Sequence, residues 1–369
     1  MPAIPAVNTD KHFKYLDSAR GIAAMMVFAS HFIAKNFQAK MNVRWFFLVF
    51  NGNDAVSFFF VLSGFVLSYK YIVLGKPLDL KKFYLTRIFR LFPAYFIIVL
   101  WSVLYAYRNE MSLQTAKDLF INNKYEFWEE AILFRFHNKF YYPGWTLTLE
   151  MLGSFLMPFF IAMALKNKKL GPWLILVTVI VGNNLLFSYL FLFGIVASCN
   201  YEAIAAGSFK ETKWYRYRYP LLTGAIILFS IRQINGIHAF GPRFDWWADF
   251  LKIDFFTFTG LSCFVFLVAI LHSKSVQRFL ENRLLVFIGK ISYGIYLVHV
   301  VVINTIYLYV EQYIDGPHHR LALIGITLLC TAGIFLVATV LHYLVELPFM
   351  RLGKNIAARM KPSLIIQRD

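Results

Sequence analysis

Long apolar runs, separated by shorter polar segments, recur along the chain from residue 18 to residue 345. A helix that crosses the hydrocarbon core of a bilayer needs about 20 largely apolar residues. The pattern therefore predicts an all-α fold: a polytopic integral membrane helix bundle that forms a single domain over residues 1–369, with no appended soluble domain. About ten transmembrane spans are predicted, near residues 18–36, 55–75, 88–107, 145–165, 172–182, 184–199, 220–235, 253–272, 284–310 and 321–344.

The fifth and sixth of these spans are predicted to be short. As one helix, the apolar stretch 172–199 would rise about 42 Å, which is too long for one crossing and too short for two full ones. Gly182, Asn183 and Asn184 interrupt its middle. This interruption favours two short helices over one long helix.

Composition and charge distribution agree with a membrane protein and predict its orientation. Hydrophobic residues make up 59% of the chain and charged residues only 15%, against about a quarter in soluble domains. Short cytoplasmic loops of membrane proteins collect Lys and Arg. We therefore predict that both termini are cytoplasmic. Basic residues are concentrated in segments 11–14, 70–90, 166–169, 210–218, 274–283 and 351–368.

The net charge of +17 does not indicate nucleic-acid binding. The basic residues form short clusters between apolar runs, and no recognition motif accompanies them. Cys199, Cys263 and Cys330 lie in or beside apolar runs without metal-ligand spacing. We therefore expect neither disulfides nor a metal site.

Ionisable side chains inside apolar spans are energetically costly, so each one indicates a functional role. The first span contains His31 and the fourth contains Glu150. The rise per residue of an α-helix gives the depth of each residue in the membrane, counted from the inner face for His31 and from the outer face for Glu150. The two depths are similar. A carboxylate beside an imidazole fixes its tautomer and raises its basicity. We predict that His31 and Glu150 form a catalytic pair, whereas the alternative for His31 is a hydrogen bond to a neighbouring carbonyl.

Basic residues near the inner ends of the spans are candidates for binding an anionic donor. Arg87 and Arg90 lie three residues apart, so their guanidinium groups share one side of a helix and suit bidentate binding of phosphate. Arg20 lies within about 20° of the helix face of His31, and Asp17 lies near that face one turn before Arg20. The alternatives are retention of positive charge inside for the arginine pair and anchoring of a helix end for Arg20 and Asp17.

Five other residues are expected to support this site. Ser63 lies beside a glycine in a segment that also permits close helix approach. Trp145 opens the fourth span, and Tyr293 lies in the ninth. His299 lies in mid-membrane, where its alternative role is a hydrogen bond to a neighbouring helix. Glu346 lies at an inner helix end.

Together, these segments resemble the acyltransferase 3 family of membrane-bound O-acyltransferases. Each motif alone is unspecific, but their order along most of the chain is characteristic. Departures are mild, since Ala19 stands where a leucine is common and Thr146 where a serine is common. The motifs are Leu16–Ala24 followed by His31, Phe59–Phe65, Arg87–Pro93, Trp145–Glu150, Ile291–His299 and Val345–Pro348.

The resemblance implies a ten-helix enzyme of the bacterial inner membrane, surrounded by membrane lipid. Such an enzyme takes an acyl group, usually acetyl, from cytoplasmic acyl-CoA, and it holds no permanently bound cofactor. The acceptor is a sugar hydroxyl of a surface polysaccharide such as an O-antigen or exopolysaccharide, or of a lipid-linked sugar. By the family's pattern, His31 would be the essential catalytic residue and Arg87 and Arg90 would handle the donor. Direct transfer and an acyl-histidine intermediate both remain open.

Two other functions are compatible with a polytopic bundle. A proton-coupled transporter or flippase of glycans would relay protons through His31, Glu150 and His299, but such proteins are built from internal repeats, and the sequence shows none. An inactive membrane sensor of the same fold is the other alternative. In such a sensor the catalytic residues would be dispensable.

Overall fold

The computed structural model describes most of the chain, and nearly all of that part is helical. The described residues are 13–37, 46, 48, 50–133, 138–167, 169, 171–181, 189–205, 210, 213–231, 255–310, 319–362 and 364–366.

The long helices carry the apolar runs of the sequence. Asn51 caps the second of them by accepting a hydrogen bond from the backbone N–H of Asp54, and Asp79 caps the third in the same way from Lys82. Both helices therefore begin before the predicted spans 55–75 and 88–107. The long helices, with other helices of at least eleven residues, are α1 (Lys14–Phe37), α2 (Gly52–Ile72), α3 (Leu80–Ala106), α6 (Gly144–Lys166), α7 (Gly171–Val181), α8 (Tyr189–Cys199), α11 (Arg218–Phe229), α12 (Phe255–His272), α15 (Ser292–Val310), α16 (His319–Leu341) and α17 (Leu347–Arg359).

Short elements connect these helices. Strands β1 (Leu78–Asp79) and β2 (Ile365–Ile366) pair antiparallel and join the C-terminal segment to the start of α3. The short helices are α4 (Leu113–Ala116), α5 (Phe127–Ala131), α9 (Tyr201–Ala205), α10 (Lys213–Arg216), α13 (Lys274–Leu280) and α14 (Arg283–Lys290), with π-helical turns at Lys117–Ile121 and His342–Glu346.

Several of these helices are suited to crossing a membrane. Within the described residues, five stretches are long and apolar enough: α2, α3, α6, α15 and the run 321–359. A sixth is reached if α12 and α13, which bend by 94° at their junction, count as one span. The chain is thus a multi-pass membrane protein. The number of ten spans and the cytoplasmic position of both termini stay predictions.

The structure differs from the predicted spans at two places near the C-terminus. The predicted span 284–310 consists of two helices, because the chain turns at Ile291 between α14 and α15. The predicted span 321–344 does not end at residue 344. It continues through the π-helical turn into α17, which carries Lys354 towards the N-terminal ends of α3 and α1.

Close helix contacts depend on glycines at two crossings. At the crossing of α2 and α8, a Cβ on Gly64 would overlap the carbonyl group of Phe191. At the crossing of α1 and α14, a Cβ on Gly21 would lie 2.7 Å from the backbone nitrogen of Gly289. Small residues let membrane helices approach this closely. These contacts fix the position of α1 and α2, which carry several of the predicted site residues.

Candidate active site

A cavity of about 440 Å³ opens between α1, α2, α3, α6, α15 and α17. Four basic side chains line it, together with two carboxylates and a set of apolar and hydroxyl side chains. The basic residues are Arg20, Arg87, Arg90 and Lys354, and the acidic residues are Asp17 and Glu150.

Glu150 is bound on the cavity wall by Arg87. Nη2 of Arg87 donates to Oε1 of Glu150, and the same carboxylate oxygen accepts a hydrogen bond of 3.1 Å from Oγ of Ser63. Nε of Arg87 donates to Oγ of Ser154 at 3.0 Å. The predicted pairing of Glu150 with His31 is therefore wrong in this structure. The helix rise predicted similar membrane depths for Glu150 and His31. The rotation of α6 about its axis, however, directs the carboxylate of Glu150 towards α3.

Arg90 keeps its charge available to the cavity. Its only hydrogen-bond contact among the described residues is from Nη1 to Sδ of Met350 at 4.0 Å. Lys354 lies on the same cavity and is exposed. Arg20 differs, because its Nη1 lies 3.5 Å from Oδ1 of Asp17. Of the three predicted donor-binding arginines, Arg90 is thus the one without a carboxylate partner within the described part of the chain.

His31 lies at a second, smaller cavity of about 240 Å³. Its ring centroid is 5.1 Å from that of His299 and 6.3 Å from that of Tyr142. Neither His31 nor His299 lines the larger cavity. The smaller cavity is lined by His31, Ala34, Lys35, Val300, Ile303 and Asn304.

Tyr296 and His299 lie between the two cavities. Tyr296 lines the larger cavity, and its hydroxyl group is hydrogen-bonded to Oγ1 of Thr146. Its ring centroid is 5.7 Å from that of His299, which in turn contacts His31. A continuous row of side chains therefore leads from the basic cavity to the candidate base.

The remaining predicted residues are divided between the cavity and its surroundings. Tyr293 lines the larger cavity and donates its hydroxyl hydrogen to the carbonyl oxygen of Leu91 at 2.7 Å. Trp145 is partly buried against the core and lines neither of these cavities. Glu346 also lies outside both, where Nδ1 of His342 is 2.8 Å from its Oε2. The structure thus brings Ser63 and Tyr293 to the site, but not Trp145 or Glu346.

A protein-family model matches nearly the whole chain. The model of an acyltransferase domain, Acyl_transf_3, matches residues 13–343. The chain belongs to the acyltransferase 3 family. The resemblance seen in the sequence motifs is thereby confirmed. No curated protein and no solved structure matches the chain.

In this acyltransferase 3 protein, the sequence did not point to several residues of the site. Tyr296 and His299 share one motif, but nothing in the sequence indicates that Tyr296 separates two cavities. Lys354 lies in a basic terminal segment that also satisfies the positive-inside rule, and it follows the part of the chain that the family model matches. Lys354 reaches the cavity only because α17 packs against the N-terminal part of α3.

Glu130 is a further residue that the sequence did not single out. It is 1% exposed, and its carboxylate accepts hydrogen bonds of 2.7–3.2 Å from the backbone N–H groups of Lys139, Phe140 and Tyr141. These bonds hold the segment that presents Tyr142 to His31. A glutamate in a loop rich in acids carries no sequence signal for this role.

Proposed function

We propose that this acyltransferase transfers an acyl group, most simply acetyl, from cytoplasmic acyl-CoA to a hydroxyl group of a surface polysaccharide or a lipid-linked sugar. The observation that carries the proposal is the cavity that combines Arg20, Arg87, Arg90 and Lys354 with apolar walls. Coenzyme A has the same two-part chemistry, since its phosphate groups are anionic and its pantetheine arm is neutral. The bacterial inner membrane is the location that such a donor and acceptor require.

The donor would lie with its phosphates at the basic end of the cavity. Arg90 and Lys354 carry charges without carboxylate partners among the described residues, so a phosphate can pair with them without first breaking an ion pair. Arg87 would contribute less directly, because its guanidinium group is held by Glu150 and Ser154. The pantetheine arm would follow the apolar wall towards Thr146 and Tyr296, which line the same cavity.

The acceptor would approach His31 from the smaller cavity. An imidazole in such a position is suited to act as a general base. The proton of the acceptor hydroxyl would pass to His31 while the ester C–O bond forms and the thioester C–S bond breaks. His31 would then return the proton to the leaving thiolate of coenzyme A. The alternative function, a transporter that relays protons through His31, Glu150 and His299, has less support. Glu150 is paired with Arg87 and is therefore not positioned to exchange protons with His31.

Transfer of label from acyl-CoA tests the proposal. Membranes that contain the protein are incubated with labelled acetyl-CoA, and the glycan and lipid-linked sugar fractions are counted. Wild-type membranes should transfer label, and His31→Ala membranes should transfer about 10²–10⁴-fold less, the usual contribution of a general base. Near-normal transfer by His31→Ala at normal abundance would refute the mechanism and favour a sensor of the same fold.

The donor site has its own variant pair. Arg90→Gln should raise the KM for acetyl-CoA about tenfold, because a charge-assisted hydrogen bond to phosphate is lost. Arg351→Gln is the matched control, since Arg351 is an exposed basic residue of α17 that does not line the cavity. Equal KM values in the two variants would count against binding of the donor in the larger cavity.

A further inference from the structure

His299 has a buried nitrogen atom with no hydrogen-bond partner. The residue is 0% exposed, and its Nε2 is one of few buried side-chain nitrogen or oxygen atoms without a partner among the described residues. A buried polar atom without a partner is disfavoured, because it has lost its hydrogen bonds to water. Such an atom in a native structure needs an explanation, and a role in the reaction is one.

The other ring nitrogen defines the tautomer of His299. Nδ1 lies 2.6 Å from the carbonyl oxygen of Tyr296. A carbonyl oxygen can only accept a hydrogen bond, so Nδ1 must carry the hydrogen. In the neutral ring, Nε2 then carries a lone pair and is an acceptor. His299 therefore presents a fixed acceptor in the interior of the bundle.

The ring of His31 is in contact with that of His299 and carries an N–H group that can donate to this acceptor. The two centroids are 5.1 Å apart, and the ring planes are inclined by 45°. His31 forms no hydrogen bond with the described residues, so its ring can rotate without breaking one. The two helices that carry these residues, α1 and α15, pack directly against each other.

We propose that His299 is the positioning residue of His31: Nε2 of His299 accepts a hydrogen bond from the ring N–H of His31. This bond leaves the other nitrogen of His31 without a hydrogen and free to accept the proton of the acceptor hydroxyl. His299 thus performs the orienting role that the sequence suggested for Glu150. The inference rests on the proposed function, because it assigns a partner to the base of that reaction.

Two substitutions at His299 separate orientation from structural support. His299→Gln keeps an acceptor near the position of Nε2, whereas His299→Leu removes it. We expect His299→Leu to lower kcat at least about tenfold, as is usual when a general base loses its orienting partner, with an unchanged KM for acetyl-CoA. His299→Gln should retain more of kcat than His299→Leu. In a His31→Ala background, His299→Leu should cause no further loss, because both residues serve the same step.

The control is His272→Leu. His272 also places Nδ1 near a helix carbonyl, that of Ile204 at 3.0 Å, but it lines neither cavity. The His272→Leu substitution should therefore leave kcat unchanged. Thermal unfolding in detergent provides the second measurement: His299→Leu should unfold within a few degrees of the wild type, since the net contribution of one hydrogen bond is only about 1 kcal/mol.

The outcomes distinguish this inference from the proposed function. Transfer by His299→Leu within about twofold of the wild type would overturn the inference, as would a loss that adds to that of His31→Ala. A fall in kcat together with a fall in unfolding temperature of about ten degrees or more would assign His299 a structural role and overturn the inference as well. Absence of transfer by the wild type would overturn the proposed function itself.

Discussion

Removal of either member of the Arg87–Glu150 ion pair is expected to destabilise the bundle strongly. The two side chains are only 10% and 12% exposed. Loss of one member of a fully buried pair costs about 3–5 kcal/mol, because the remaining charge is left without a partner. Since the pair lies on the wall of a cavity, we expect a value near the lower limit, about 3 kcal/mol, for Arg87→Met and for Glu150→Leu.

The double substitution is expected to be much less harmful than the sum of the two single ones. Replacement of both charges by apolar side chains leaves no isolated charge, and such replacements are often neutral. The two single losses of about 3 kcal/mol sum to about 6 kcal/mol, so a nearly neutral double variant corresponds to a coupling free energy of about 6 kcal/mol in magnitude. Stability is measured by denaturant-induced unfolding in detergent, with the exposed Glu202, changed to Leu, as the control. Additive losses would show that the ion pair does not stabilise the bundle.

The same variants test the role of Glu150 in transfer. The double variant should fold but not recover the donor affinity of the wild type, since it lacks the guanidinium group at the cavity. Glu150→Gln should retain most of kcat, because an amide oxygen can still accept the hydrogen bonds of Arg87 and Ser63. A loss of kcat in Glu150→Gln as large as in His31→Ala would contradict this reasoning and restore the carboxylate as the partner of His31.

Three other substitutions test the helix packing, the loop before α6 and the larger cavity. Gly64→Ala should destabilise the protein by at least about 1–3 kcal/mol through a clash with the neighbouring helix, whereas Gly224→Ala, which meets nothing within 4 Å, should be neutral or stabilising in thermal unfolding. Glu130→Ala should cost about 3 kcal/mol and speed hydrogen exchange of the backbone amides that it binds, since several charge-assisted hydrogen bonds are lost; unchanged exchange would contradict this. Lys354→Gln should raise the KM for acetyl-CoA several-fold while Arg351→Gln does not, and equal values would remove Lys354 from the donor cavity.

The sequence by itself predicted the helical fold class and the grouping of two arginines that line the larger cavity. Apolar length predicts membrane helices because an unpaired backbone is too costly in hydrocarbon. Helical spacing correctly placed Arg87 and Arg90 on one side of α3, and both line the same cavity. The family followed from the order of the motifs and was confirmed over residues 13–343. These features are local, because each depends on one helix or one segment.

Only the tertiary structure decided which side chains meet. Helix periodicity gives the depth and face of a residue, but not the neighbour that each face meets, because neighbours depend on the rotation and crossing of whole helices. The predicted depth of Glu150 allowed a contact with His31. The packing of α6 against α3 instead directs the Glu150 carboxylate to Arg87. The contact between His31 and His299 likewise joins helices that are distant in sequence. It depends on the close packing of α1 and α15, which no local pattern specifies.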